Sequence, residues 1–245
     1  MKKIYIAILL AGLLMAGTAG FSSAMTADEV LDKMDQTMEH SNQVAVLSMT
    51  LTDKKGIVQN REIKMFQKEG GKRLIKFLKP ADVKGTGFLS LPGDEMYIYM
   101  PALGKVRRIA SHVKNQSFMG TDFSYDDMGG EQYSGSSKTT SFTEEGGKYL
   151  IEVTAAKKDA TYSRLKLIID KNTFIADKIE FFDKAGRPFK TMTNSNVEKI
   201  GDSWVSKEIK MVNVQEGHTT VLKMTDISFD SELSDDIFTQ RNLQK

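Results

Sequence analysis

Residues 73–128 read RLIKFLKPADVKGTGFLSLPGDEMYIYMPALGKVRRIASHVKNQSFMGTDFSYDDM, and this stretch decides the fold. It holds three of the chain's four prolines, Pro80, Pro92 and Pro101. Between them lie apolar runs at Leu74–Leu78, Thr86–Leu91 and Met96–Met100. Each has the length of a strand and is too short for a helix. Met96–Met100 shows no polar alternation, so both of its faces should be covered. A basic cluster follows, Lys105, Arg107 and Arg108. A long loop comes next, in which the aromatics Phe118, Phe123 and Tyr125 stand beside Asp122, Asp126 and Asp127. Strands that feed a long loop of aromatic and acidic character are a common setting for a binding site.

Outward from this stretch the period is two. Upstream, Leu47, Met49 and Leu51 alternate with Ser48, Thr50 and Thr52. The turn Asp53–Gly56 leads to a strand from Ile57 to Lys68, and Gly70-Gly71 leads to another from Lys72 to Lys79. Downstream, strands are expected at Lys138–Glu144, Lys148–Ala155, Tyr162–Asp170, Phe174–Phe182, Pro188–Lys199, Trp204–Gln215 and Thr219–Phe229. Turn residues separate them, among them Gly146-Gly147, Asn172 and Gly201-Asp202. Turn signals at strand-length intervals predict one large, curved antiparallel sheet, apolar on one face and wet on the other. No linker or shift of composition divides it.

One clear helix precedes the sheet, Ala27–Ser41, with Thr26 or Asp28 as its cap and Asp28-Glu29 suited to the positive end of its dipole. Val30, Leu31, Met34, Thr37 and Met38 form its apolar stripe. Near the end, Ser234 should cap a short turn at Asp235–Thr239, and the polar tail to Lys245 should fray.

Residues 1–24 have the form of a cleavable secretory signal peptide. Lys2 and Lys3 begin it, Ile4–Ala16 is its apolar core, and Ser22-Ser23-Ala24 precedes the cut. The core is shorter than the ~20 residues of a spanning helix. No cysteine occurs in the chain, which excludes disulfides, thiolate metal sites and acylation at a cleavage-site cysteine. The expected mature protein, residues 25–245, is one periplasmic domain. Without Lys2 and Lys3 its charges balance, 32 basic against 32 acidic. That argues against nucleic acid as a partner.

The sequence holds no G-x-S-x-G elbow, no Walker loop and no H-E-x-x-H. His40, His112 and His218 are scattered without spaced partners, and the three aspartates of the loop lack EF-hand spacing. A capping role near Ser124–Met128, or pairing with Arg107 and Arg108, suits those aspartates better. The two arginines can equally be a solvated face. No cofactor, metal or catalytic set is expected.

Three motifs carry a family resemblance: Lys79–Leu89 (K-P-x-D-x-K-G-x-x-F-L), Tyr97–Ile109 (Y-x-Y-x-P-A-L-x-x-V-x-R-I) and Ser117–Asp127 (S-F-M-G-x-D-F-x-Y-x-D). With these the chain resembles the periplasmic LolA-like, outer-membrane lipoprotein-sorting superfamily over most of its mature length. The resemblance implies a half-open β-barrel, mainly β with a few helices, closed by helical lids over an apolar cavity. It also implies lipid or lipoprotein acyl chains as ligand, an envelope export or outer-membrane protein as partner, and a carrier or chaperone role. The helix at Ala27 and the segment Ser111–Gly130 are the available lids. Period-two phasing nominates Met49, Met65, Phe77, Ile98, Met100, Ile179 and Met224 for the concave, ligand-facing side. Arg107, Arg108, Phe118, Asp122, Phe123, Tyr125 and Asp127 are nominated as a latch that holds the loop to the sheet. Met96, Met192 and Met211 share the inward phase, and methionine suits both a ligand wall and ordinary core filling. Two other readings stay open: a non-catalytic interaction module with a filled core, such as an accessory to an envelope exporter, and an enzyme acting on envelope lipid.

Overall fold

The computed structural model describes residues 25–39, 42–130, 132–156, 160–229 and 232–245. The signal-peptide segment 1–24 and the expected helix end at 40–41 lie outside the described residues. Helix α1 spans Ala27–Met38. Thr26 and Glu29 cap it reciprocally: the Glu29 amide donates to Thr26 Oγ1 (3.3 Å) and the Thr26 amide to Glu29 Oε2 (2.7 Å). Such a cap contributes about 1 kcal/mol. Val30, Leu31 and Met34 are buried against the sheet, each contributing about 1.5–3 kcal/mol of apolar burial.

The strands are β1 (Gln43–Thr52), β2 (Val58–Lys68), β3 (Lys72–Lys79), β4 (Gly87–Leu91), β5 (Glu95–Met100) and β6 (Lys105–Arg108). After a short helix α2 (Tyr125–Gly129) come β7 (Ser137–Glu145), β8 (Lys148–Ala155), β9 (Arg164–Asp170) and β10 (Ala176–Phe182). They are followed by β11 (Pro188–Ile200), β12 (Ser203–Asn213) and β13 (His218–Ser228). All of these strands form one antiparallel sheet in the order β6-β5-β4-β3-β2-β1-β13-β12-β11-β10-β9-β8-β7. Two meanders are therefore joined where the first strand pairs with the last, Met49 opposite Leu222 and Leu47 opposite Met224. The edges β6 and β7 are not paired with each other, so the curved sheet stays an open barrel.

This topology places the lid. The chain must pass from edge β6 to the opposite edge β7, and residues 109–130 run across the concave side. Phe118 and Phe123 on this crossing are buried, 0% and 4% exposed. Sequence character marked them as loop aromatics; they face inward because the loop lies on the apolar face of the sheet.

The convex face has its own cover. Leu233, Phe238 and Leu243 pack on Leu74 and Leu89, with Tyr97 and Tyr99 beside them. A 3₁₀ turn (Asp235–Phe238, capped by Ser234) carries Phe238, helix α3 (Gln240–Leu243) carries Leu243, and Leu233 immediately precedes the cap. The polar tail expected to fray is thus docked, with Leu243 fully buried. Lys68 and Lys72 both reach Asp235 (2.9 and 2.8 Å), and Lys76 donates to the Leu243 carbonyl (2.7 Å). Gly87 on β4 lies so near Leu243 that an added Cβ would meet its Cδ1 at 2.7 Å. Met96–Met100 is covered on both sides as its sequence implied, by the main core inside and by the tail outside.

Candidate functional site

The concave face holds an apolar cavity of about 190 Å³. Ile63 and Met65 of β2, Ile179 and Phe181 of β10, Met211 of β12 and Met224 of β13 form its wall. Met38 of α1 and Phe123 and Met128 of the lid roof it, and Trp204 and Val205 of the β11–β12 hairpin stand at its rim. Each wall residue sits at the inward phase of its strand, so alternation alone delivers it there.

Of the seven residues nominated from phase, Met65, Ile179 and Met224 line this cavity. Met49, Phe77, Ile98 and Met100 face the same side but lie off the cavity wall; the first three are buried in the core and Met100 packs against it. The reason is the lid. Phe118 rests between Phe77 and Phe88 (ring centroids 5.9 and 5.2 Å away), and Tyr125 stands edge-on to Phe118 at 5.3 Å. These rings occupy the part of the concave face that a ligand would otherwise reach.

The aromatic cluster and buried hydrogen bonds hold the lid. Asp122 Oδ2 accepts from Thr220 Oγ1 (2.7 Å) and lies 2.8 Å from His218 Nδ1. Asp126 Oδ2 accepts from Thr161 Oγ1 (3.1 Å), and burial pushes the Asp126 carboxyl above the ordinary aspartate value. Asp127 and Ser124 form the capping box of α2, and Tyr162 donates to Asp127 Oδ2 at 3.0 Å. Among the described residues, neither Arg107 nor Arg108 pairs with an acid of this loop; Arg108 approaches Glu95 at 3.8 Å. Both lie exposed on edge strand β6, the solvated face that had been the other reading of them. The partnership of Asp122 with His218, 96 residues away, is invisible in the sequence.

A second, polar cavity of about 540 Å³ adjoins the first. Met38, Gln67 and Arg73 line both. Arg73 Nη1 donates to the Met128 carbonyl of α2 (3.0 Å) and Nη2 to Gln67 Oε1 (2.8 Å). Gln67 Nε2 in turn donates to the Met38 carbonyl of α1 (3.0 Å). This polar bar joins both lids to the sheet. Burial lowers the Arg73 pKa to about 10, and among the described residues its buried Nε has no hydrogen-bond partner. Sequence reasoning missed Arg73 and Gln67. Their signal was a polar residue in phase with apolar ones: Gln67 two positions from Met65, Arg73 two positions from Ile75. Lys190, two positions from Met192, is a third such residue, buried with its pKa lowered by that burial.

An open antiparallel barrel with an apolar interior under a tethered lid can hold an apolar chain, and solved structures share the fold. A family model described as an uncharacterised protein family matches residues 69–245. The chain belongs to that family. Its fold is that of the LolA superfamily and of outer-membrane lipoprotein-sorting domains. A Vibrio parahaemolyticus domain described as belonging to outer-membrane lipoprotein sorting is 27% identical, with a TM-score of 0.80, over 89% of this chain and 98% of the other. A DUF1329 family protein from Desulfovibrio piger is 29% identical, TM-score 0.81, over 89% and 97%. A LolA superfamily protein from Nitrosomonas europaea, at 21% identity and TM-score 0.74 over 89% and 100%, shares the fold. No curated protein is significantly similar to the chain.

Proposed function

We propose that this LolA-like protein is a periplasmic carrier or chaperone that binds acyl chains of lipid or lipoprotein under its lid and moves them towards the outer membrane. The supporting observation is the apolar cavity, walled by flexible methionines and roofed by a segment whose polar tethers can break and re-form. Methionine walls accommodate varied apolar shapes. An acyl chain costs ~0.8 kcal/mol per CH₂ when exposed to water, so a carrier needs an apolar groove that the chain can fill and no chemistry. In this reading residues 1–24 direct export and are removed. The mature chain from Met25 acts as one non-catalytic binding unit, and it meets an envelope export or outer-membrane acceptor protein. The likeness to the Vibrio parahaemolyticus domain, described by outer-membrane lipoprotein sorting, supports that setting.

The chain's single tryptophan stands at the cavity rim, which gives a direct test. Bromine on an acyl chain quenches indole fluorescence only on contact. Titration with a brominated fatty acid should quench Trp204 saturably, and an unbrominated competitor should reverse it. No quenching by brominated fatty acid or brominated phospholipid would contradict the proposal.

A further inference from the structure

Arg73 stands on the boundary between the apolar cavity and the polar one. A guanidinium has five N–H donors. Among the described residues Arg73 forms two hydrogen bonds, both to neutral oxygens, and Nε has none. Among the described residues no carboxylate lies within ion-pair distance of it. The acids that share the polar cavity are already engaged. Asp35 accepts from the Tyr133 and Ser134 amides, Asp94 pairs with Lys114, Asp126 accepts from Thr161, and Glu39 accepts from Gln132. Gly130 lies flat against the guanidinium, where an added Cβ would meet Nη2 at 2.9 Å. Arg73 is half-buried, and the charge of Glu39 offsets the desolvation of its guanidinium only in part, so the position is costly without a closer anion. Its pKa of about 10 keeps it charged at neutral pH.

Resting on the carrier reading, we propose that Arg73 is the headgroup site: it receives an anionic oxygen group of an amphiphile whose acyl chain occupies the adjoining apolar cavity. The anion is the phosphate of a phospholipid or the carboxylate of a fatty acid, and Arg73 is suited to either because its fork of donors matches paired oxygens. The acylated end of a lipoprotein, made of ester, amide and thioether groups, offers no such anion. Arg73 therefore selects a free anionic lipid over a lipoprotein end.

The test compares matched ligands on the full-length mature protein by displacement of a fluorescent acyl probe. One pair is palmitic acid against methyl palmitate; the other is lysophosphatidylglycerol against monopalmitoylglycerol. The anion of at least one pair should bind wild type about tenfold or more tightly than its neutral partner. A preference confined to the first pair identifies a carboxylate ligand, and one confined to the second a phosphate ligand. Arg73→Gln should abolish the preference, so that the anion and its neutral partner bind equally to that variant, and Arg73→Lys should retain part of it. Should Arg73→Gln fail to fold, the wild-type pairs and Arg73→Lys decide. Equal binding within both wild-type pairs, or a preference that survives Arg73→Gln, would overturn the headgroup site and leave the carrier reading standing. Absence of binding by every ligand would overturn both.

Discussion

Lysine placed at Met224 or at Met49 separates a ligand wall from a filled core. The two methionines occupy adjacent paired strands, on the same face and one step apart in register, Met49 opposite Leu222 and Leu47 opposite Met224. Met49 is 0% exposed and lies away from the cavity, whereas Met224 is half-buried and lines it. At Met49 the substitution forfeits about 1.5–3 kcal/mol of apolar burial. It also leaves an ammonium dry and unpaired, at several kcal/mol more. Together that is comparable with the ~5–15 kcal/mol that holds a domain folded. Met49→Lys should therefore be unfolded or close to it. At Met224 the aliphatic stem can lie along the wall with its ammonium in water inside the cavity. The cost there should be about 1–2 kcal/mol. The same charge stands where an acyl chain would pass, so ligand binding should be lost. Urea unfolding followed by circular dichroism, together with titration of a fluorescent fatty acid, reads both effects. Equal and large destabilisation of the two variants would refute the reasoning, because Met224 would then be as dry as Met49. A folded Met224→Lys that binds like wild type would refute the wall assignment.

Phe118→Ala removes the ring at the centre of the lid's aromatic cluster; a loss of about 3–5 kcal/mol is expected, with amide exchange accelerated first across residues 111–130, and unchanged exchange there would rule out the aromatic anchor. Gly87→Ala should displace α3 through its contact with Leu243, costing about 1–3 kcal/mol, and limited proteolysis should then cut the tail earlier than in wild type. Asp235 has its pKa lowered from 3.8 to about 2 by Lys72 and Lys68. A depressed carboxylate stabilises above its unfolded value and loses that contribution as pH falls, so the tail should loosen between about pH 4 and pH 2, and Asp235→Asn should remove that pH dependence in an exchange measurement.

The sheet was legible because it is built from hairpins. Gly146-Gly147 and Gly201-Asp202 mark turns, the strands alternate, and each pairing is local. Closure of the two meanders was not legible, since β1 and β13 meet only in three dimensions. Alternation assigned Met49 and Met224 to one face correctly, but it carries no information about depth. Which part of that face stays open depends on where the lid lands, and Phe118 lands on Phe77. The arginine latch failed for a related reason. Arg107 and Arg108 are near the loop in sequence, yet an edge strand turns them to solvent, while His218 and Thr220 approach from the far end of the chain. The tail was misread because Leu233, Phe238 and Leu243 are too widely spaced to give a period. The missing alternation of Met96–Met100 did require an outer cover, and the tail supplies it. Arg73 was overlooked because a charged residue inside an inward-facing apolar set reads as noise until its neighbours are known.

The carrier reading is tested most directly by what the protein carries. Mature protein isolated from the periplasm without detergent, extracted with organic solvent and weighed by mass spectrometry, should yield an acylated amphiphile in near-stoichiometric amount, and the Met224→Lys variant should yield none. Wild type that releases no lipid, and takes up none when offered, would contradict it.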